Sequence, residues 1–416
     1  MYLCLFEDER VPHLLPLVYT RPVYGLRLGL RTLLETTREA FPDASLFLHT
    51  RHLVADVAVQ EHGELVNRIP EGLDVLFVNG RYIAETGPVL ERLLEAARPG
   101  EPGRVFIQGD EVVAAWVPDA SSRLVEEDVV GRATFGDFPE EVIEGARFIG
   151  RLWHLIDEIR LALARDFKVR TKGYNIYERP GAVVQEGALL VRGEQIYLAP
   201  GATVRPGAIL NASAGPIYVD EGAVVMEGAV VRGPVSVGAG AQVKIGANIE
   251  GTAIGPWCKV GGEVHDAVLH SHSNKSHAGF LGHSYLGRWC NLGADTNTSN
   301  LRNDYGLVTL YDAVEADFVT TDRQFLGLFM GDHSKASINT MFNTGTVVGV
   351  SCNLYGTGFL PRHVPSFSWG SPQADVQTYR LEKALRVAEA AMARRNVTLT
   401  AADRELLTAV FEAVRG

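Results

Sequence analysis

The sequence predicts an α/β domain followed by a parallel β-solenoid and a helical tail, and three observations carry that prediction. Short apolar bursts alternate with helix-like segments over the first 150 residues. From about residue 175, apolar residues and glycines then recur at six-residue spacing. The end of the chain is charged and amphipathic.

In the first domain, residues 1–150, strands are predicted at Tyr2–Phe6, Ala44–Leu48, Val75–Val78 and Val105–Ile107. Helical periodicity is read over Leu26–Leu34 and Pro88–Ala97. Residues 151–174, beginning RLWHLIDEIRLALARDFK, form a helical linker. Over residues 175–370 the hexads are clearest in AVVMEG, AVVRGP, VSVGAG, AQVKIG and ANIEGT, from 223 to 252. Val225, Val231, Val237, Val243 and Ile249 share one phase, and Val224, Val230, Ser236, Gln242 and Asn248 share its neighbour. A period of six fits neither a helix nor a hairpin. It fits a solenoid whose three short faces close a coil of about 18 residues, with glycine at the corners. A Gly-rich β-sandwich is the alternative, and irregular spacing with hairpin turns would mark it. Residues 371–416 hold two predicted helices, with Thr400 as N-cap and Glu405 near the capping-box position.

Composition excludes several classes. The 416-residue chain carries 39 basic and 50 acidic residues, a formal charge of −11, which does not suit a nucleic-acid binder. No apolar run is long enough to span a membrane. The opening MYLCLFEDER lacks the basic end and apolar run of a secretion signal, and Cys4, Cys258, Cys290 and Cys352 form no C-x-x-C pair. A cytoplasmic protein without a zinc knuckle is expected.

Five of the 12 histidines, His265, His270, His272, His277 and His283, fall within nineteen residues. Three readings compete: a metal site using His270 and His272, a solvated polar cluster, and a catalytic base titrating near working pH. The flanking sequence forms no recognised ligand pattern, so no metal is assigned. Downstream, WCNLGADTNTSNLRNDYG clusters Asn291, Asn297, Asn300 and Asn303, which face a ligand, water or a neighbouring chain, or else form an internal Asn ladder.

The text SHAGFLGHSYLG followed by CNLGADTNTSNL resembles the acetyltransferase signature of the bifunctional enzymes that make UDP-N-acetylglucosamine, and the whole run looks like a divergent branch of that family. The resemblance implies an α/β nucleotidyltransferase-like N-terminal domain plus a left-handed parallel β-helix of hexapeptide repeats, ahead of the helical tail. It implies N-acetyl transfer from acetyl-CoA to an amino-sugar phosphate resembling glucosamine 1-phosphate. The flat faces of a triangular β-helix can pack side by side, so a homotrimer is expected, and charge and hydropathy leave neither nucleic acid nor membrane as a partner. The family's substrate-orienting Asn falls on Asn300 and its Tyr on Tyr285. Its catalytic His meets Phe280 from one anchor and Gly282 from the other, with His277 and His283 flanking the mismatch. His277 is preferred for its polar neighbours Asn274 and Lys275, and His283 is the rival. Lys259, Lys275 and Arg302 are candidates to grip a phosphate, and a corner backbone N–H would hold the oxyanion.

The first domain also resembles the family's nucleotidyltransferase, through Leu15, Pro16, Leu17, Thr20 and Pro22. The glycine loop that cradles a triphosphate is replaced by EDERVPH, and the magnesium-holding G-D by NGRYI. Nucleotide binding would fall to Asp8, Arg10, Arg21, Asn79 and Arg81, with Mg²⁺ needed only if this domain is active. A degenerate domain with weak or absent nucleotidyl transfer is expected. Two other functions stay open: a sugar-1-phosphate nucleotidyltransferase whose β-helix oligomerises or regulates, and a non-catalytic trimeric scaffold that binds nucleotide sugars.

Overall fold

The computed structural model describes residues 1–63, 65–175, 177–371 and 376–415. Its first domain is built on a seven-stranded mixed sheet, in the order Leu65–Val66, Ser45–Leu48, Tyr2–Phe6, Leu73–Asn79, Glu111–Ala120, Arg104–Gln108, Glu140–Val142. The central strands are apolar on both sides: Leu76 and Val78 face a core covered by helices, and Val75 and Phe77 face one closed by Val125, Val130 and Phe135. The helical period read over Leu26–Leu34 is corrected. Arg27–Leu28 and Arg31–Thr32 form an antiparallel hairpin, and the helix begins after it, at Leu33–Ala40. Thr32 caps that helix with Glu35 in a capping box, so its start lies seven residues later than periodicity alone suggests. Helices His154–Asp157 and Ile159–Arg170 follow.

From Val183 the chain winds as a parallel β-helix. Its first face is a sheet running from Val183–Val184 to Ser368–Gly370, the second runs from Leu189–Val191 to Phe280–Gly282, and the third from Ile196–Leu198 to His363–Val364. Val225, Val231, Val237, Val243 and Ile249 all point inward and are fully buried. Stacked coils keep like residues in register, so each inward position is a column of valines, leucines and alanines. The column is interrupted between Leu301 and Leu326, where an insertion carries the antiparallel hairpin Thr309–Asp312 with Asp317–Thr320.

The outer side of the third face is apolar where the first domain sits. Ala253, Val268, Tyr285, Phe329 and Val347 pair in one register line and join the first domain's core. Polar contacts lock the seam. Buried Asp332 pairs with Arg21 and accepts from Thr20 Oγ1 at 2.8 Å and from the Arg288 backbone N–H at 2.8 Å. Arg323 pairs with Asp157 at 2.7 Å. The tail helices, Leu381–Ala393 and Ala401–Arg415, pack on Val54 and Val57 of the first domain and on Val350 and Phe367 of the solenoid. Thr400 does interact with its helix start, but its partner is Asp403 rather than Glu405, because the N3 side chain alone reaches back to the Thr400 N–H, at 3.0 Å. Among the described residues no helix is long and apolar enough to cross a membrane.

Candidate active site

The corner between the second and third faces collects the polar chemistry. His283 follows the strand Phe280–Gly282 and takes a left-handed backbone (φ 47°) that turns its ring outward along the corner. Asn300 occupies the same corner one coil on, and its amide nitrogen lies 2.9 Å from His283 Nδ1. Gly282 makes that approach possible, since a Cβ there would stand 2.6 Å from the Asn300 amide. Phe325, returning from the insertion, stacks on the imidazole at 5.4 Å between centroids. Asp266 lies on the other side of the ring, with Oδ2 3.7 Å from Nε2. Arg160 holds that carboxylate, Nε to Oδ1 at 2.5 Å, and also reaches Glu250. Burial pulls the His283 pKa below its ordinary value, while the Asp266 charge pulls it back up.

A cavity of about 440 Å³ opens at the residues flanking Asn300, namely Ser299 and Leu301. Two arginines share it. Arg302 pairs with Asp304 at 2.6 Å, with its side chain 39% exposed. Arg362 donates to Thr309 Oγ1 at 2.6 Å and lies 4.4 Å over the Phe318 ring, with Nε buried and unpartnered. No carboxylate among the described residues pairs with Arg362. Burial, then the Arg302 charge, lowers its pKa, which marks an uncompensated cation. Asn343 and Thr344 add amide and hydroxyl groups to the wall.

Other sequence candidates lie elsewhere, for identifiable reasons. His277 is exposed on the first-to-second corner, away from Asn300, and its carbonyl accepts from Lys275 Nζ at 2.6 Å. Lys275 is corrected as a phosphate ligand: it continues the inward column after Val260, is 1% exposed, and spends its ammonium on the carbonyls of Gly261, His277 and Ala278. Burial pulls its pKa down to about 8. Tyr285 is corrected as a substrate contact. It is fully buried under the first domain, and its hydroxyl accepts from the Arg27 N–H at 3.0 Å and donates to the Arg27 carbonyl at 3.2 Å. Lys259 faces outward from the first face, its pKa lowered by burial and by Arg395 and Lys244. His270 is buried on the third face and His272 sits at its end, so the two do not share a strand side. No group of three or more metal-ligating side chains assembles among the described residues.

Four of the nucleotide candidates, Asp8, Arg10, Asn79 and Arg81, form one network with Glu111. Arg81, fully buried, donates to Asp8 Oδ1 at 2.8 Å and pairs with Glu111, while Asn79 donates to Asp8 Oδ2 at 2.8 Å. Arg10 reaches Glu111 at 3.4 Å. Arg21 is 1% exposed and committed to Asp332 and the Leu17 carbonyl. Arg21 and Arg81 are each buried and ion-paired within the chain, and Arg21 Nε and Arg81 Nη1 have no hydrogen-bond partner among the described residues. Sequence reasoning missed Asp266, Arg160, Arg362 and Phe325, none of which lies in the quoted signature. Only the adjacency of Asp266 to His265 hinted at the first.

Residues 3–175 match a family model described as sugar nucleotidyl transferase. "Bifunctional protein GlmU" of Methanocaldococcus jannaschii is 31% identical over 104 residues, 25% of this chain and 25% of that protein. "Bifunctional sugar-1-phosphate nucleotidylyltransferase/acetyltransferase" of Sulfurisphaera tokodaii is 29% identical over 102 residues, covering 24% and 25%. The matches thus span about a quarter of the length of these curated relatives. Among solved structures, Arabidopsis UDP-N-acetylglucosamine acyltransferase aligns over 52% of this chain and 78% of its own, at 16% identity and a TM-score of 0.26.

Proposed function

We propose that the chain is an N-acetyltransferase that acts on an amino-sugar phosphate at the His283 corner. The observation that carries this reading is the His283–Asn300 contact, backed by Asp266 and opening beside a cavity with two arginines. Acetyl-CoA supplies the activated acyl group as a thioester. The sugar nitrogen forms a bond to the thioester carbonyl carbon, the carbon–sulfur bond breaks, and the thiolate leaves. His283 Nδ1, once the Asn300 amide yields to substrate, takes the amine proton and passes it to that thiolate. Asp266 stabilises the imidazolium from the Nε2 side, and Asn300 orients the substrate. Arg362 and Arg302 receive the sugar phosphate, and the hydroxyls and amides around them receive the sugar.

The same proposal keeps a homotrimer. With the third face occupied by the chain's own first domain, its copies meet through the first and second faces. A second reading, sugar-1-phosphate nucleotidyl transfer with Mg²⁺, is favoured by the family match over residues 3–175. The neutralised Asp8–Arg81–Glu111 network argues against strong turnover there. One paired assay separates them: free thiol released from acetyl-CoA with glucosamine 1-phosphate, against pyrophosphate released from UTP, Mg²⁺ and a sugar 1-phosphate. Thiol release without comparable pyrophosphate release is expected. Pyrophosphate release alone would replace the acetyltransferase reading with the nucleotidyltransferase one.

A further inference from the structure

A second cavity, of about 510 Å³, lies where the first domain, the third-to-first corner of the solenoid and the tail helices meet. The corner residue there has a left-handed backbone in every coil. Early coils fill it with Gly222 and Gly240 (φ 64° and 62°), as a conformation that disfavours a Cβ leads one to expect. The coils that follow instead carry Trp257, His272, Trp289 and His333, with φ from 56° to 60°. Large rings at a glycine-favouring position oppose the local preference. Trp289 meets the tail-helix core, as Phe367 does at the same corner of a later coil, whereas Trp257 is 52% exposed and, among the described residues, packs on no such cluster.

Three of the rings form a column. His272 stacks on Trp289 at 4.2 Å, and Trp289 lies parallel to His333 at 6.3 Å. Trp257 folds the other way, onto Gly240, where a Cβ would stand 2.7 Å from its ring. No ring contact joins Trp257 to His272 among the described residues, and both line the cavity. Its carboxylates are already committed. Glu35 and Asp403 accept from the backbone N–H groups of Thr32 and Thr400, and Glu61 pairs with Arg288. Arg27 is 8% exposed, donates to the carbonyls of His270 and Leu30, and has no carboxylate partner among the described residues. His270, 2% exposed, uses Nε2 to donate to the Gly25 carbonyl at 2.9 Å. That leaves Nδ1 as a buried acceptor with no partner at the cavity wall.

We propose that this junction is a second ligand site, independent of the His283 corner, and that it takes a nucleoside phosphate. The base occupies the space between Trp257 and His272, an N–H on its edge meets His270 Nδ1, and the phosphate meets Arg27. An adjoining cavity of about 150 Å³ shares Arg27 and Glu35 and extends the space along the third face. Because three parts of the chain form the walls, occupancy stabilises their mutual docking.

The test uses the full chain with ATP and UTP as probes, in the presence of a chelator. Equilibrium dialysis is expected to show saturable binding, and bound nucleotide to shield tryptophan fluorescence from acrylamide. Trp257→Gly and His272→Gly remove the rings at positions whose backbone glycine favours. Each is expected to weaken binding about tenfold or more without lowering the melting temperature of the free protein. Failure of both nucleotides to bind or shield at millimolar concentration would overturn the proposal. So would undiminished binding by both glycine variants, which would put the nucleotide elsewhere in the chain.

Discussion

His283 is a base whose protonation is set by opposed neighbours. Burial lowers its pKa below the ordinary 6.5, with Arg160 and His265 pulling the same way, while Asp266 raises it. The imidazole is therefore neutral, and able to take a proton, at neutral pH. The acid limb of kcat/KM is expected below pH 6.5. Asp266→Asn removes the charge that favours the imidazolium, so it shifts that limb to still lower pH. A limb above pH 7, or one that Asp266→Asn moves upward, would contradict the assignment. In the proposed mechanism Asn300 orients the substrate. Asn300→Ala is expected to lower kcat/KM about tenfold, the scale of one lost hydrogen bond with its partner left unpaired, and to move the limb upward, because the donor that favours neutral Nδ1 is lost.

At the scale of elements, the third face explains what the sequence revealed and what it hid. The six-residue period separates inward from outward positions, and Val225, Val243 and Ile249 are buried as their phase requires. Periodicity carries no information on which outward face another part of the chain covers. Tyr285 reads as a polar residue inside an enzyme signature, yet its hydroxyl is satisfied by Arg27, 258 positions away. Lys275 reads as a phosphate ligand on its chemistry alone; the coil turns it inward, where three corner carbonyls make it tolerable. Likewise the sequence favours His277 over His283 for its polar neighbours, and only the coil geometry assigns the two to different corners, with Asn300 beside His283. The seam itself is testable through Asp332, which burial would push toward neutrality but the Arg21 guanidinium holds ionised. Asp332→Ala leaves Arg21 buried and unpaired, and is expected to cost about 3–5 kcal/mol in chemical denaturation. A loss under about 1 kcal/mol would show that the pair does not anchor the domains.

At the scale of the whole molecule, the first domain is packed onto the solenoid. It covers the third face and pairs Asp8, Arg81 and Glu111 with one another, while Arg362, which no carboxylate pairs among the described residues, stands on the solenoid side. The alternation of strands and helices and the hexad run were legible in the sequence, whereas the insertion between Leu301 and Leu326 was not, because its hairpin interrupts the repeat that made the rest readable. Light scattering is expected to give three times the 45.3 kDa chain mass; a monomer at micromolar concentration would remove the trimer from the proposal.

The central claim, that transfer occurs at the second-to-third corner, meets its most direct test in one matched pair of variants. Thiol release from acetyl-CoA with glucosamine 1-phosphate is measured for His283→Ala and His277→Ala beside the parent, with circular dichroism to establish that both are folded. Loss of the base at His283 is expected to lower kcat about 10²–10⁴-fold, while His277→Ala turns over within about threefold of the parent. The reverse order, or a parent that releases no thiol with any amino-sugar phosphate, would contradict the account.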